Sequence, residues 1–451
     1  VIIGVIGSGT AGLVAATILK KYTSNEVFVV SSSNIGIIGV GESTTEHINE
    51  YLQFMQIPIE ELVEETGAIP KKGVNFKGWS VSNPDFIFSI KTSHTSTVAQ
   101  YPYVYGYSAN EQKSKGIELK KGEVCNQYHF NSYKLNKFLR KKALEVGVVL
   151  LEDKIVEVCT SGNSISKVKG AQKSYKADFF VDATGFRRAL INKVGGKWNS
   201  YSPYLKVNSA VVTFKPSTWN YANKEAVTTA SVEDAGWMWD VPNEHGVGIG
   251  YVYSDKYATD EEALERLRKV SAVVEDSNYS VFKFNPGCLE DTWIGNCCAI
   301  GLSASFIEPL EASAIGTSIQ QSFLLLNTLP NYTPATIKQY NKICNSMHLN
   351  IRDFVFLHYY RTRGKGTPFW DYVSNINPPA TLKHKLELWE KNLPREEDFI
   401  GDTGYKLFGP FHYADYILKT GKLYGSGNVV DKELHYYNNV VLYQGAKKAN
   451  D

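Results

Sequence analysis

Three glycines in GSGTAG, Gly7, Gly9 and Gly12, stand in the order G-x-G-x-x-G between a predicted strand (1–6) and a predicted helix (10–21). The first glycine of such a series permits a tight turn, the second lets the backbone approach a pyrophosphate, and the third lets helix pack on strand. Amides at the helix start, around Thr10 and Ala11, then face the phosphates. The reading is a dinucleotide site. At the end of the next strand, where a carboxylate usually meets a ribose hydroxyl, VFVVSSS offers Ser31. A hydroxyl is the weaker acceptor there. A second stretch, GWMWDVP, sets Trp237 and Trp239 two residues apart, on one face of an extended strand, with Pro242 closing the segment. Side by side, the two indoles form a wall.

The elements that must hold these groups follow from pattern. A βαβ unit opens the chain as 1–6, 10–21 and 26–31, although its uncharged first nineteen residues superficially resemble a membrane segment. Residues 132–146 carry apolar side chains on one helical face, and ADFFVDATG reads as a buried strand ending in a glycine turn. From 206 to 253 the strand-rich pattern implies an antiparallel sheet, and helices dominate from Pro309 onward. The expected fold class is α/β: an FAD-binding Rossmann-like, flavin monooxygenase-like module with an antiparallel sheet and an added helical substrate region. The expected partition is a module over 1–330, with the antiparallel sheet at about 200–290, and a mainly helical substrate side over 331–451.

Composition is that of a globular protein: 451 residues, 43% hydrophobic and 21% charged. A net charge of +2 gives nucleic acid and acidic membranes no purchase as partners. The six cysteines have no zinc spacing, so no metal is expected. They read as buried free thiols of a reducing, cytoplasmic compartment.

Taken in order, GSGTAG, GVGESTTEHI (39–48), GWMWDVP, SFIEPLEAS (305–313) and RDFVFLHYY…TPFW (352–370) resemble motifs of the flavin-dependent halogenases, the tryptophan halogenase family. The tryptophan motif is the specific one, because many flavoproteins share a glycine turn. The resemblance implies that FAD, supplied as FADH2 by a separate flavin reductase, uses O2 to oxidise a halide to hypohalous acid. The oxidant then reaches an electron-rich aromatic small molecule. It also implies roles. Trp237, Trp239 and Pro242 separate flavin from substrate. Lys71, in TGAIPKKGVNF, matches the lysine that acts as hydrogen-bond donor or haloamine, and Glu311 matches the acid that orients the oxidant or stabilises the cationic ring. Amides of Ser313 and Ala314 match the halide site. Gly41, Glu42, Ser43, Asp182, Gly301 and Ile315 join the glycine turn around the flavin.

Each assignment has a plainer counterpart. Paired tryptophans fill cores, a Lys-Lys pair sits in a solvated turn, and an acid in a helix's first turn complements the dipole. QYPYVYGYS, with Tyr101, Tyr103 and Tyr105, could line an aromatic-substrate pocket or cover a core edge. At the level of function, the alternatives are a flavin-dependent aromatic hydroxylase and a non-catalytic flavin-fold binding protein.

Overall fold

The structure is a computed structural model. It describes residues 1–36, 42–71, 73–81, 84–89, 92–93, 123–124, 127–216, 227–271, 278–362, 366–392, 394–399, 401 and 405–421. The chain forms two compact units that interleave in sequence.

One unit comprises Val1–Ala68, Phe130–Ser202 and Phe284–His348. Its six-stranded sheet runs in the order Val149–Glu152, Glu26–Ser31, Ile2–Ile6, Phe179–Asp182, Cys297–Ala299, Trp293–Ile294. Every pair is parallel except the last. Parallel sheets are covered on both faces, which is why Ile3, Val5, Val29, Val30, Phe179, Phe180 and Val181 are all buried. Helix Thr10–Lys21 buries Leu13, Val14, Ile18 and Leu19, and packs against helices Ser132–Glu145 and Ser313–Thr328.

The other unit comprises Ile69–His129, Pro203–Lys283 and Leu349–Asp451. A seven-stranded sheet runs Tyr279–Lys283, Ser209–Pro216, Gly246–Tyr253, Gly236–Asn243, Val227–Glu233, Gly73–Lys77, Asp85–Ser89. Only the pair Val227–Glu233 with Gly73–Lys77 is parallel. Period-two alternation divides its faces. Met238, Ile249, Tyr251 and Tyr253 point to one side and pack on Ala263 and Leu267 of helix Asp260–Ser271. Trp237 and Trp239 point to the other. The strand continues one residue past Pro242, which pairs with Val247 just before the hairpin turn.

The partition at residue 330 is therefore not how the chain divides. The antiparallel sheet groups with the C-terminal helices, and helix Pro334–Tyr359 spends its length in both units. Cys159, Cys288, Cys297, Cys298 and Cys344 are free thiols, all buried but Cys159, and Cys125 lies outside the described residues. No described helix is long and apolar enough to cross a membrane.

Candidate active site

The glycine turn is built as its spacing requires. Gly7 sits at φ +110°, and a Cβ there would lie 2.3 Å from the Ala183 carbonyl oxygen. A Cβ on Gly12 would lie 2.0 Å from the Gly7 carbonyl oxygen. Gly9 differs, because nothing stands within 4 Å of its absent Cβ. The first and third glycines thus serve the chain's own packing, and the second opens onto space. No side chain caps the helix that follows. An open approach to uncapped amides is the cradle a diphosphate needs, so these residues fit FAD.

Residues far away in sequence complete that cradle. Asn136 donates from Nδ2 to the Ser8 carbonyl at 2.7 Å, and Arg140 donates from Nη1 to Ser8 Oγ at 3.1 Å. Both lie on helix Ser132–Glu145. Ser31 ends its strand without an acid, but its register partner on the neighbouring parallel strand is Glu152. That carboxylate accepts from Ser33 N at 2.6 Å and Ser33 Oγ at 2.9 Å, and the backbone donor holds it below the usual carboxylate range. The rim therefore carries a carboxylate after all, from an unexpected strand.

The Asp182 side chain is fully engaged within the fold. Its Oδ1 accepts from Thr184 N, Thr184 Oγ1 and Ser303 Oγ, and its Oδ2 from Leu190 N and Ile191 N. Five donors consume both oxygens of a wholly buried carboxylate. The side chain organises the loop around Gly185 instead of reaching outward. Gly301, at φ +63°, sits where a Cβ would fall 2.5 Å from the Ala11 Cβ and 3.1 Å from Ser318 Oγ. It therefore lies between the first turn of the glycine-turn helix and helix Ser313–Thr328.

That last helix begins under strain. Glu311 (φ 69°, ψ 5°) and Ala312 (φ 51°, ψ 34°) are consecutive non-glycine residues in the left-handed region. Each costs about 1–2 kcal/mol in that conformation. Glu311 stands before the helix in a tight turn, half-buried, and not in the helix's first turn. Ser313 returns to right-handed geometry at φ −73°, and no side chain caps the helix. A left-then-right alternation is the backbone pattern of the nests that can bind anions. Ser313 is buried, Ala314 exposed and Ile315 half-buried.

The GESTTEHI segment closes on the same helix. A Cβ on Gly316 would lie 2.3 Å from Thr45 Oγ1 and 3.1 Å from His47 Nδ1, two atoms themselves 3.0 Å apart. Gln320 adds a hydrogen bond to Glu50 at 2.5 Å. Glu42 and Ser43 form a two-residue strand, and Gly41 lies outside the described residues. The first unit thus brings together the glycine turn, the Asp182 loop, Gly301, GESTTEHI and the strained acid loop.

The second unit carries the lysine and the indoles. Lys71 is 5% exposed, so the solvated-turn reading does not describe it. Its amide donates to the Gln127 carbonyl at 2.9 Å, continuing an antiparallel pairing in which Ile69 faces His129 and Pro70 faces Tyr128. Lys72 lies outside the described residues, as do Tyr101, Tyr103 and Tyr105. His129 bonds Thr228 Oγ1 at 2.8 Å. Thr228 stands two residues from Ala230, the register partner of Trp239. The His129–Thr228 bond ties the strand facing Ile69 and Pro70 to the strand that pairs with that of the indoles.

Trp237 and Trp239 are 2% and 4% exposed, with ring centroids 6.0 Å apart and planes tilted by 53°. Trp239 lies on Gly250, where a Cβ would meet ring atoms at 2.1 Å. Trp237 meets Trp79 at 6.2 Å, and Trp79 meets Trp370 at 5.4 Å and Tyr359 at 5.7 Å. The RDFVFLHYY…TPFW segment thus supplies the aromatic core behind the indoles. Arg140, Glu152, His129, Gly250 and Gly316 were all missed in the sequence; only GVGIG, facing a tryptophan strand, carried a readable signal.

A parallel sheet with a glycine turn at the head of its central strand, feeding an uncapped helix, defines an α/β dinucleotide-binding fold. The tryptophan halogenase family model matches residues 2–422, and the chain belongs to that family. It is 28% identical to the tryptophan 6-halogenase SttH of Streptomyces toxytricini, over 93% of this chain and 89% of that one. Identity to the tryptophan 7-halogenase RebH of Lentzea aerocolonigenes is 27%, over 87% and 83%. The solved structure of SttH superposes with a TM-score of 0.84 at 26% identity, covering 99% and 96% of the two chains. Xcc4156, a flavin-dependent halogenase from Xanthomonas campestris, gives 0.82 at 26% identity, covering 100% and 96%. The chain is a flavin-dependent halogenase, and so an oxidoreductase, of α/β fold.

Proposed function

We propose that this halogenase acts on an electron-rich aromatic or heteroaromatic small molecule, a small phenol or indole-like ring ahead of free tryptophan, with reduced FAD delivered by a separate flavin reductase. The buried Lys71, in the same unit as Trp237 and Trp239, is the observation that supports this reading best.

When bound, reduced FAD supplies the two electrons that, with O2, convert halide to hypohalous acid. The protein does the rest. Gly7, Gly9, Thr10, Ala11 and Gly12 cradle the diphosphate, and Ser31 and Glu152 offer acceptors at the strand rim. Amides of Ser313 and Ala314, turned inward by Glu311 and Ala312, hold the halide. Trp237, Trp239 and Pro242 keep organic substrate from the flavin. Lys71 donates a hydrogen bond to the oxygen of the oxidant or carries the halogen as a haloamine. In the first case the oxygen–halogen bond breaks toward oxygen, the ring gains halogen and loses a proton, and water leaves. Glu311 orients the oxidant or offsets positive charge on the ring.

Softer halides are easier to oxidise, so bromide or iodide is preferred over chloride. Mass spectrometry of an aromatic panel, with FADH2 and equal concentrations of the three halides, tests both statements. Dominant chlorination would remove the halide preference, and hydroxylated products without halogen would replace halogenation by hydroxylation.

A further inference from the structure

His129 is a buried titratable group close enough to Lys71 to feel its charge, and no step above uses it. It is 0% exposed. It faces Ile69 across an antiparallel pair, which puts its side chain on the same face as that of Lys71, the residue two further on. Diagonal neighbours of this kind come within reach of long side chains. Nε2 is anchored to Thr228 Oγ1 at 2.8 Å. Nδ1 is buried and has no hydrogen-bond partner among the described residues. A buried polar atom left in this way is costly, and native structures seldom keep one without use.

Its protonation state follows from its surroundings. Burial first, and then the Lys71 charge, hold the imidazole well below the ordinary histidine range, so it is neutral. Next to an ammonium, the favoured tautomer turns a lone pair and not an N–H toward the positive charge. Nε2 then donates to Thr228, and Nδ1 is left as an acceptor.

We propose that Nδ1 of His129 is a second contact for the small O–H-bearing oxidant at Lys71, accepting a hydrogen bond from its hydroxyl while Lys71 donates to its oxygen. Two contacts at the oxygen end leave the halogen end directed outward. Hypohalous acid is the ligand; water and hydrogen peroxide share its donor pattern. This rests on Lys71 being the substrate-side lysine.

The two ring nitrogens can be separated by substitution. Asparagine places a polar atom near the Nδ1 position, and glutamine places one near Nε2. The assay supplies FADH2, bromide and an aromatic acceptor, with monochlorodimedone added to capture free oxidant. The readout is the share of oxidant appearing in product instead of trap, at equal flavin oxidation. The expected order is wild type, then His129→Asn, then His129→Gln, with His129→Phe lowest. Loss of one buried hydrogen bond sets the full drop at roughly tenfold. A product share in His129→Gln equal to or above that in His129→Asn would overturn the proposal, because the Thr228 bond alone would then explain the residue.

Lys71→Ala keeps the two claims apart. If that variant loses product while the glutamine variant matches wild type, the lysine reading stands and the histidine contact fails. If it keeps full product, the lysine reading itself fails. Thr228→Val guards against misfolding of the histidine variants. It keeps Nδ1 but frees the ring, so oxidant escaping to the trap should rise severalfold with FAD binding intact. No change there would also refute the contact.

Discussion

Gly250→Ala tests how closely the indoles are fitted. The new methyl would stand 2.1 Å from Trp239 Cζ2, 2.2 Å from Cη2 and 2.5 Å from Cε2. Carbon atoms rest at about 3.5–4.0 Å, so the indole must retreat by about 1.5 Å. It cannot move freely, because it sits 4% exposed with the Trp237 ring 6.0 Å away. Overpacking of this kind costs about 1–3 kcal/mol. Urea unfolding followed by tryptophan fluorescence measures that cost directly, and near-ultraviolet circular dichroism of the folded protein reports the displaced ring. If Trp239 also separates substrate from flavin, product yield per flavin oxidised falls with it. Unchanged unfolding and spectra would show that the indole does not lie on Gly250, and the barrier argument would lose its geometric basis.

Other expectations concern separate parts of the molecule. Ala312→Gly relieves one left-handed residue; after the entropy of the added glycine, a gain of about 0.5–1 kcal/mol in unfolding free energy is expected, and a loss of stability would contradict the strain. Arg140→Ala should weaken FAD binding by roughly tenfold while leaving riboflavin binding unchanged, since a guanidinium beside Ser8 serves the diphosphate and not the ring. Calorimetric titration of both flavins decides it, and equal losses would assign Arg140 to folding alone. His348 is wholly buried and held down to about 3 by that burial. Below about 6.5 the unfolded chain takes up a proton that the folded one refuses, so stability falls with pH by up to about 1.4 kcal/mol per unit. Urea midpoints between pH 7 and 5 should flatten in His348→Gln, and an unaltered slope would assign the acid lability to other groups.

What the sequence made legible was local. GSGTAG declared its turn because Gly7 and Gly12 are forced by atoms a few residues or one strand away. GWMWDVP declared its shared face because strand alternation needs no partner to be known. The missing pieces come from elsewhere in the chain. Glu152 reaches the Ser31 rim from a strand that enters the sheet more than a hundred residues later, and His129 meets Lys71 only once two distant segments pair. The interleaving of the two units was hidden for the same reason. The strain at Glu311 and Ala312 was hidden differently, since a Glu-Ala pair gives no sign of left-handed backbone where glycine would have. The five donors around Asp182 were hidden too, since a strand-end acid can face either way.

The most direct test compares wild type with Lys71→Ala under FADH2, O2 and bromide, counting brominated aromatic product against flavin oxidised by the paired bromine isotope signature. The account expects flavin oxidation to continue in both, with brominated product in the wild type alone. Undiminished brominated product from the alanine variant would contradict it.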